Sequence, residues 1–229
     1  MKLLSRLTVG VSVLVLAAGG CGSGPDSREV LEEPVQIVTE ETETIARPLV
    51  MILGDSLTAG YGLSESEAYP ALLAERLRTA GRPVRIVNAG ISGDTTAGGL
   101  ARVDWLLSQN PDVVVVELGG NDGLRGLSLE ETERNLDGIV RRCRQASVRV
   151  LLMGMKIPPS YGAEYSSDFA ALFEELASTH GVALMPFLLE GVAGDPNLNQ
   201  ADGIHPNAAG HRLLAETVEP YLVGVLEGL

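Results

Sequence analysis

The chain has 229 residues, 30 acidic against 17 basic side chains, and a formal net charge of −13. Acidity on that scale argues against nucleic acid as a partner and against electrostatic docking to anionic lipid. Two cysteines, Cys21 and Cys143, form no metal-spaced cluster with the histidines, so neither a metal nor another cofactor is expected.

At the start, Lys2 and Arg6 precede an apolar stretch over 7–18 that is followed by Gly19-Gly20-Cys21. A charged beginning, a short apolar middle and small residues before a cut read as a secretory signal over 1–20, and the stretch is too short to span a bilayer. Ala18-Gly19-Gly20-Cys21 also reads as a lipoprotein site with Cys21 as the lipidated residue; plain cleavage without lipid is the alternative. Residues 21–47 carry Asp26, Glu29, Glu32, Glu33, Glu40, Glu41 and Glu43 and read as an acidic flexible tether. Losing Lys2 and Arg6 with the leader takes the charge from −13 to about −15. The remainder, 48–229, fits one domain. The expectation is an exported bacterial monomer on the periplasmic side, touching membrane through its lipid anchor only.

Within that domain an apolar run at 49–53 leads into Gly54-Asp55-Ser56-Leu57. Tyr69, Leu72, Leu73, Arg76 and Leu77 then recur at helical spacing. A second run at 84–87 ends in Asn88-Ala89-Gly90-Ile91-Ser92-Gly93-Asp94-Thr95, and a third at 113–118 ends in Gly119-Gly120-Asn121-Asp122. Ser128 with Glu131 predicts a capping box for a helix through Cys143, with Cys143 on its core side. A fourth strand is predicted at 148–153, a loop at 158–167, and a helix capped by Asp168 that carries Phe169, Leu172, Phe173 and Leu176. A short fifth strand at 182–185 and a last helix from about Asn207 to Leu226 complete the pattern. Strands alternating with helices of crossover length predict a three-layer α/β/α sandwich around a mainly parallel five-stranded sheet.

Three strands thus end in small or polar turns, which is how a parallel sheet presents chemistry at its carboxyl edge. Ser56 follows the first strand, and near the other end of the chain Asp202 stands three residues before His205. Together they supply a nucleophile, a general base and an orienting acid, the parts needed for covalent acyl transfer. Such transfer builds negative charge on the carbonyl oxygen, so fixed donors matter most. The backbone N–H of Gly93, the amide of Asn121 and the backbone N–H of Ser56 are candidates for that oxyanion hole. Asp55, Asp94 and Asp122 read as structural caps, His180 as a helix-end cation and His211 as a surface or packing residue.

Four blocks carry a family resemblance: GDSLTAGYG at 54–62, NAGISGDT at 88–95, ELGGNDGLRG at 117–126 and DGIHPN at 202–207. In this order they resemble the SGNH hydrolases, the GDSL-type esterases and lipases. Within them the likeness is to the bacterial periplasmic group of multifunctional acyl-CoA thioesterases, lysophospholipases and arylesterases. It extends over about 48–226. By matching positions the resemblance implies Ser56 as nucleophile, Asp202 and His205 as its partners, and Gly93 and Asn121 as oxyanion donors. It also implies a flavodoxin-like sheet and a small-molecule substrate: aryl and short-chain esters, acyl thioesters or lysophospholipids. Gly123 and Leu124 after Asn121, with Ile157, Pro158 and Tyr161 beyond the fourth strand, are candidates for substrate contacts. A carbohydrate O-acetyl esterase is the alternative activity, because this fold also serves sugar esters. A non-catalytic exported binding lipoprotein is the other.

Overall fold

The computed structural model describes residues 47–229; the leader, Cys21 and all but the last residue of the tether lie outside the described residues. Five strands form one sheet: β1 (Leu49–Gly54), β2 (Arg85–Gly90), β3 (Val113–Glu117), β4 (Arg149–Met153) and β5 (Ala183–Met185). Every neighbouring pair is parallel and the order is β2-β1-β3-β4-β5. β1 and β3 are buried along their whole length, as strands covered on both faces must be, and their apolar runs are continuous rather than alternating. β2 is an edge strand, and its Arg85 is exposed.

The helices are α1 (Ser56–Ala59), α2 (Tyr69–Thr79), α3 (Thr96–Leu107), α4 (Gly120–Leu124), α5 (Leu129–Gln145), α6 (Ala163–His180) and α7 (Ala208–Leu226). Right-handed crossovers decide their sides. The chain steps from β1 outward to β2 and then back across β1 to β3, so α2 covers one face and α3, α5 and α6 cover the other. α7 returns to pack on α2, while α3 packs on α5 and α5 on α6. The reversal of direction at β1 is the topological switch point of such a sheet, where the strand ends leave a crevice.

Buried polar links join the layers. His211 on α7 is 1 % exposed, and its Nδ1 accepts the backbone N–H of Tyr69 at 3.1 Å. Burial, with His205 nearby, pushes its imidazole down to about 4, so it is neutral and free to accept. His180 at the end of α6 places Nε2 2.8 Å from Asp137 Oδ1 on α5. Cys143 is fully buried in the core, and desolvation pushes its thiol up to about 12, out of reach of thiolate chemistry.

Two local expectations change. α6 starts at Ala163, so part of the expected loop is helical and Asp168 lies inside the helix. The start comes from Gly162, whose φ of 107° turns the chain after a 3₁₀ turn at Pro159–Tyr161 and whose carbonyl accepts Ser166 N–H at 2.9 Å. At the head of α5 only the Ser128 half of the box forms, with Ser128 Oγ accepting Glu131 N–H at 3.3 Å. Glu131 turns to Arg134 instead, 3.4 Å away.

Candidate active site

β1 ends at Gly54, where any side chain would collide with Thr58 and with the buried Glu117 carboxylate. The next residue, Asp55, is the N-cap of α1, its Oδ1 accepting Leu57 N–H at 2.9 Å. Ser56 is thereby the first helical residue, and its own backbone N–H has no intrahelical acceptor. α1 lasts one turn because Gly60 leaves it in the left-handed region at φ 74°. The nucleophile candidate is thus held on a short, tightly bent joint at the switch point.

The segment carrying Asp202 and His205 is shaped by the same carboxylate that orients the ring. Asp202 Oδ1 accepts the N–H groups of Ile204 at 2.9 Å and His205 at 3.0 Å, and Gly203 supplies the positive φ of 72° that the turn requires. Asp202 Oδ2 lies 2.7 Å from His205 Nδ1, and His205 Nε2 lies 3.0 Å from Ser56 Oγ. Those two backbone donors and the imidazole push the Asp202 carboxyl down to about 2. The segment is tied to the α1 end of the chain: Gln200 Nε2 donates to the Tyr61 carbonyl at 2.7 Å and the Pro206 carbonyl at 3.1 Å. The Tyr61 ring lies against His205, centroids 4.6 Å apart.

Asn121 stands on α4, directly after β3, and its amide is fully engaged. Nδ2 donates to Asp55 Oδ2 at 3.0 Å and to the Asp94 carbonyl at 2.9 Å. The amide is anchored by its NH₂. Gly93 follows β2 with φ 81°. A Cβ there would meet nothing nearer than Arg125 Nη2 at 3.6 Å, so backbone conformation rather than space demands glycine.

A cavity of about 430 Å³ opens beside Ser56, Asn121 and His205. Its walls are mainly apolar, with Leu57, Leu124, Met155, Ile157, Pro158, Phe187, Leu189 and Ile204, and Lys156 among them. Of the residues expected to contact substrate, Leu124, Ile157 and Pro158 line this cavity. Gly123 and Tyr161 do not line it, nor does Gly93. Gly123 is a packing glycine behind the wall, where a Cβ would lie 2.6 Å from Ile157 Cγ2 and 3.0 Å from the Phe169 ring. Tyr161 is 45 % exposed on its 3₁₀ turn.

The three remaining acids support the frame. Asp94 Oδ2 accepts Arg102 Nε at 2.8 Å, and Arg102 also donates to the carbonyls of Ala89 at 2.6 Å and Gly54 at 2.9 Å, joining the ends of β1 and β2 to the Gly93 turn. Asp122 accepts Thr96 N–H at 3.0 Å and Thr96 Oγ1 at 2.6 Å. Asp55 is buried, and desolvation pushes its carboxyl up to about 6.

Beneath α1, fully buried Glu117 accepts Thr58 Oγ1 at 2.6 Å and Asp55 N–H at 3.2 Å through Oε2, while Thr58 Oγ1 meets Tyr69 Oη at 2.9 Å. Burial and then the Asp55 charge push the Glu117 carboxyl well upward. Arg102, Glu117 and Gln200 were given no role in the sequence reading. Only Glu117 left a signal, an ionisable residue closing a run of four valines.

A hydroxyl, an imidazole and a carboxylate in line, next to helix-start and amide N–H groups, form an arrangement suited to nucleophilic acyl transfer. Residues 52–213 match the model of the GDSL-like Lipase/Acylhydrolase family. The chain is 44 % identical over 186 residues to the Esterase TesA of Pseudomonas aeruginosa, covering 81 % of this chain and 92 % of that protein. It is 44 % identical over 172 residues to the Thioesterase 1/protease 1/lysophospholipase L1 of Escherichia coli, covering 75 % and 81 %. The crystal structure of TesA superposes with a TM-score of 0.75 at 44 % identity, over 77 % of this chain and 99 % of that one. Motifs, fold and relatives agree: the chain belongs to the GDSL-like lipase/acylhydrolase family.

Proposed function

We propose that this protein is a serine esterase that hydrolyses carboxylic esters, and acyl thioesters with them, through an acyl-Ser56 intermediate. The observation that carries the proposal is the contact of 3.0 Å between His205 Nε2 and Ser56 Oγ, with Asp202 2.7 Å from the other ring nitrogen. In the first half of the reaction Ser56 Oγ attacks the acyl carbonyl and passes its proton to His205, which then protonates the departing alcohol or thiol. In the second half His205 takes a proton from water as the water oxygen attacks the acyl-Ser56 carbonyl, and then returns that proton to Ser56 Oγ as the acyl–Oγ bond breaks and the acid leaves. Asp202 stays ionised, fixes the tautomer with Nδ1–H as donor and stabilises the imidazolium. The Ser56 and Gly93 N–H groups and the Asn121 amide stabilise the oxyanion of each tetrahedral intermediate.

The apolar cavity walls suit an acyl chain, with Leu124, Ile157 and Pro158 as the contacts carried over from the sequence. The names of the relatives support esters, thioesters and lysophospholipids as the substrate range. The protein is exported by residues 1–20 and held on the periplasmic side by a lipid on Cys21. The domain at 48–229 is a monomer on the acidic tether 21–47.

The test is turnover by the purified protein of p-nitrophenyl esters of graded chain length, palmitoyl-CoA, lysophosphatidylcholine and acetylated xylan. Fastest turnover is expected among the aryl and fatty acyl substrates. Preference for acetylated xylan would make it a carbohydrate esterase, and no turnover by folded protein would make it a binding lipoprotein.

A further inference from the structure

Asp55 uses its two carboxylate oxygens for two different purposes. Oδ1 caps α1 through Leu57 N–H at 2.9 Å, and Oδ2 accepts Asn121 Nδ2 at 3.0 Å. The residue is 2 % exposed, so water does not compete for either bond. The second proton of the same amide goes to the Asp94 carbonyl at 2.9 Å. An amide NH₂ has two protons to donate, so the resting Asn121 has none left for a substrate. One bond must therefore yield when a carbonyl oxygen arrives and becomes negative.

The two acceptors are unequal. The Asp94 acceptor is a neutral carbonyl, whereas Asp55 is a carboxyl whose burial pushes it up to about 6 and which is ionised at higher pH. Hydrogen bonds to an ionised acceptor are about twice as strong as those between neutral groups. The groups around Asp55 divide: Asp94 adds to the upward push of burial, while the Leu57 N–H, the Asn121 amide and His205 oppose it.

The geometry points to Asp55 as the positioning residue of the oxyanion donor. Its Oδ2 holds the Asn121 amide in the cavity wall that Asn121 shares with Ser56, and the other amide proton swings from the Asp94 carbonyl to the oxyanion. The bond to Asp55 persists through the cycle, and the bond to Asp94 is exchanged. This inference rests on the proposed reading of Asn121 as an oxyanion donor. It gives Asp55 a function beyond its cap, exercised through Asn121.

Asp55→Asn separates the two purposes. Asparagine is as good an N-cap as aspartate, so its oxygen keeps Leu57 N–H. Its NH₂ then faces the NH₂ of Asn121, which relieves the clash by flipping and turns its donors away from the substrate. Asp55→Ser is the second variant: serine also caps, but it has no second oxygen for Asn121.

The experiment compares kcat and KM on a p-nitrophenyl ester for wild type, Asn121→Ala, Asp55→Asn, Asp55→Ser and the double variants, with thermal unfolding of each. Asn121→Ala should lose about a hundred- to a thousand-fold in kcat, the cost of one oxyanion donor. Either Asp55 variant should lose kcat on a similar scale with little change in KM. Each double variant should be no slower than Asn121→Ala alone, because the two residues act as a unit. Should Asp55→Asn not fold, Asp55→Ser carries the same comparison. Wild-type kcat in a folded Asp55 variant, or losses that multiply fully in the double variant, would overturn the inference while leaving the oxyanion reading intact. Wild-type kcat in Asn121→Ala would overturn the oxyanion reading itself and this inference with it.

Discussion

His205 Nε2 lies 3.0 Å from Ser56 Oγ across 149 residues of chain. Two ties close that distance from the side, the Gln200 amide on the Tyr61 carbonyl and the Tyr61 ring on the imidazole. Both start from the turn that follows α1, so the loop carrying the base is registered directly on the element carrying the nucleophile.

Removal of the nucleophile is the strongest test. Ser56→Ala should lower ester turnover by about six orders of magnitude, as in comparable triads. Circular dichroism and the unfolding midpoint should be unchanged, since the Asp55 cap does not involve the hydroxyl. A folded Ser56→Ala protein with a tenth of wild-type activity would remove the acyl-Ser56 mechanism.

The pH profile follows from the depressed carboxyl. Asp202, pushed down to about 2, is ionised above its unfolded range near pH 4 and is protonated only as pH falls toward 2. Asp202 should therefore be absent from the acid limb of kcat/KM, whereas protonation of Asp55, pushed up to about 6, should weaken its hold on Asn121 and lower kcat as pH falls through that value. Asp202→Asn should lose about four orders of magnitude in kcat by favouring the wrong tautomer. Chelators should leave the rate unchanged; collapse with EDTA and recovery with a divalent ion would make Asp202 and His205 metal ligands instead.

Gly123→Ala connects packing to specificity. The added methyl would lie 2.6 Å from Ile157 Cγ2, and Ile157 is part of the cavity wall. Overpacking of this kind costs about 1–3 kcal/mol, read as a lower unfolding midpoint. Pushing Ile157 into the cavity should reduce turnover of long-chain p-nitrophenyl esters more than of the acetate. An equal loss on both would separate Gly123 from the acyl site.

Cys21→Ser tests the anchor. Expressed in a bacterium, the variant should leave the membrane fraction, and the wild-type mature protein should carry a lipid mass on Cys21. Unchanged fractionation would indicate plain signal cleavage.

Much of the domain is legible in one dimension because its determinants are local. The valine run at 113–116 and the apolar run at 49–53 are too uniformly hydrophobic for an exposed strand, so a sheet covered on both faces follows from them directly. Ser56, Asn121, Asp202 and His205 could be named because each stands in a short motif beside small residues. The last helix was expected from about Asn207, and Asn207 is the N-cap of α7. Boundaries were less so: α6 begins five residues before Asp168 because a glycine conformation, invisible in composition, starts the helix.

The sequence by itself thus determined the alternation of strands and helices and the reactive residue types, since both arise from periodicity and from motifs a few residues long. Only the tertiary structure decided what those residues do to one another. Asn121 and Asp55 are 66 residues apart, yet they share one hydrogen bond. Glu117 gains its raised carboxyl only from burial beside Asp55. Gly123 looked like part of the binding surface until Phe169 and Ile157 closed behind it. Hydrogen-bond partners, desolvation and contact at van der Waals distance are properties of pairs in space, and no spacing along the chain encodes them.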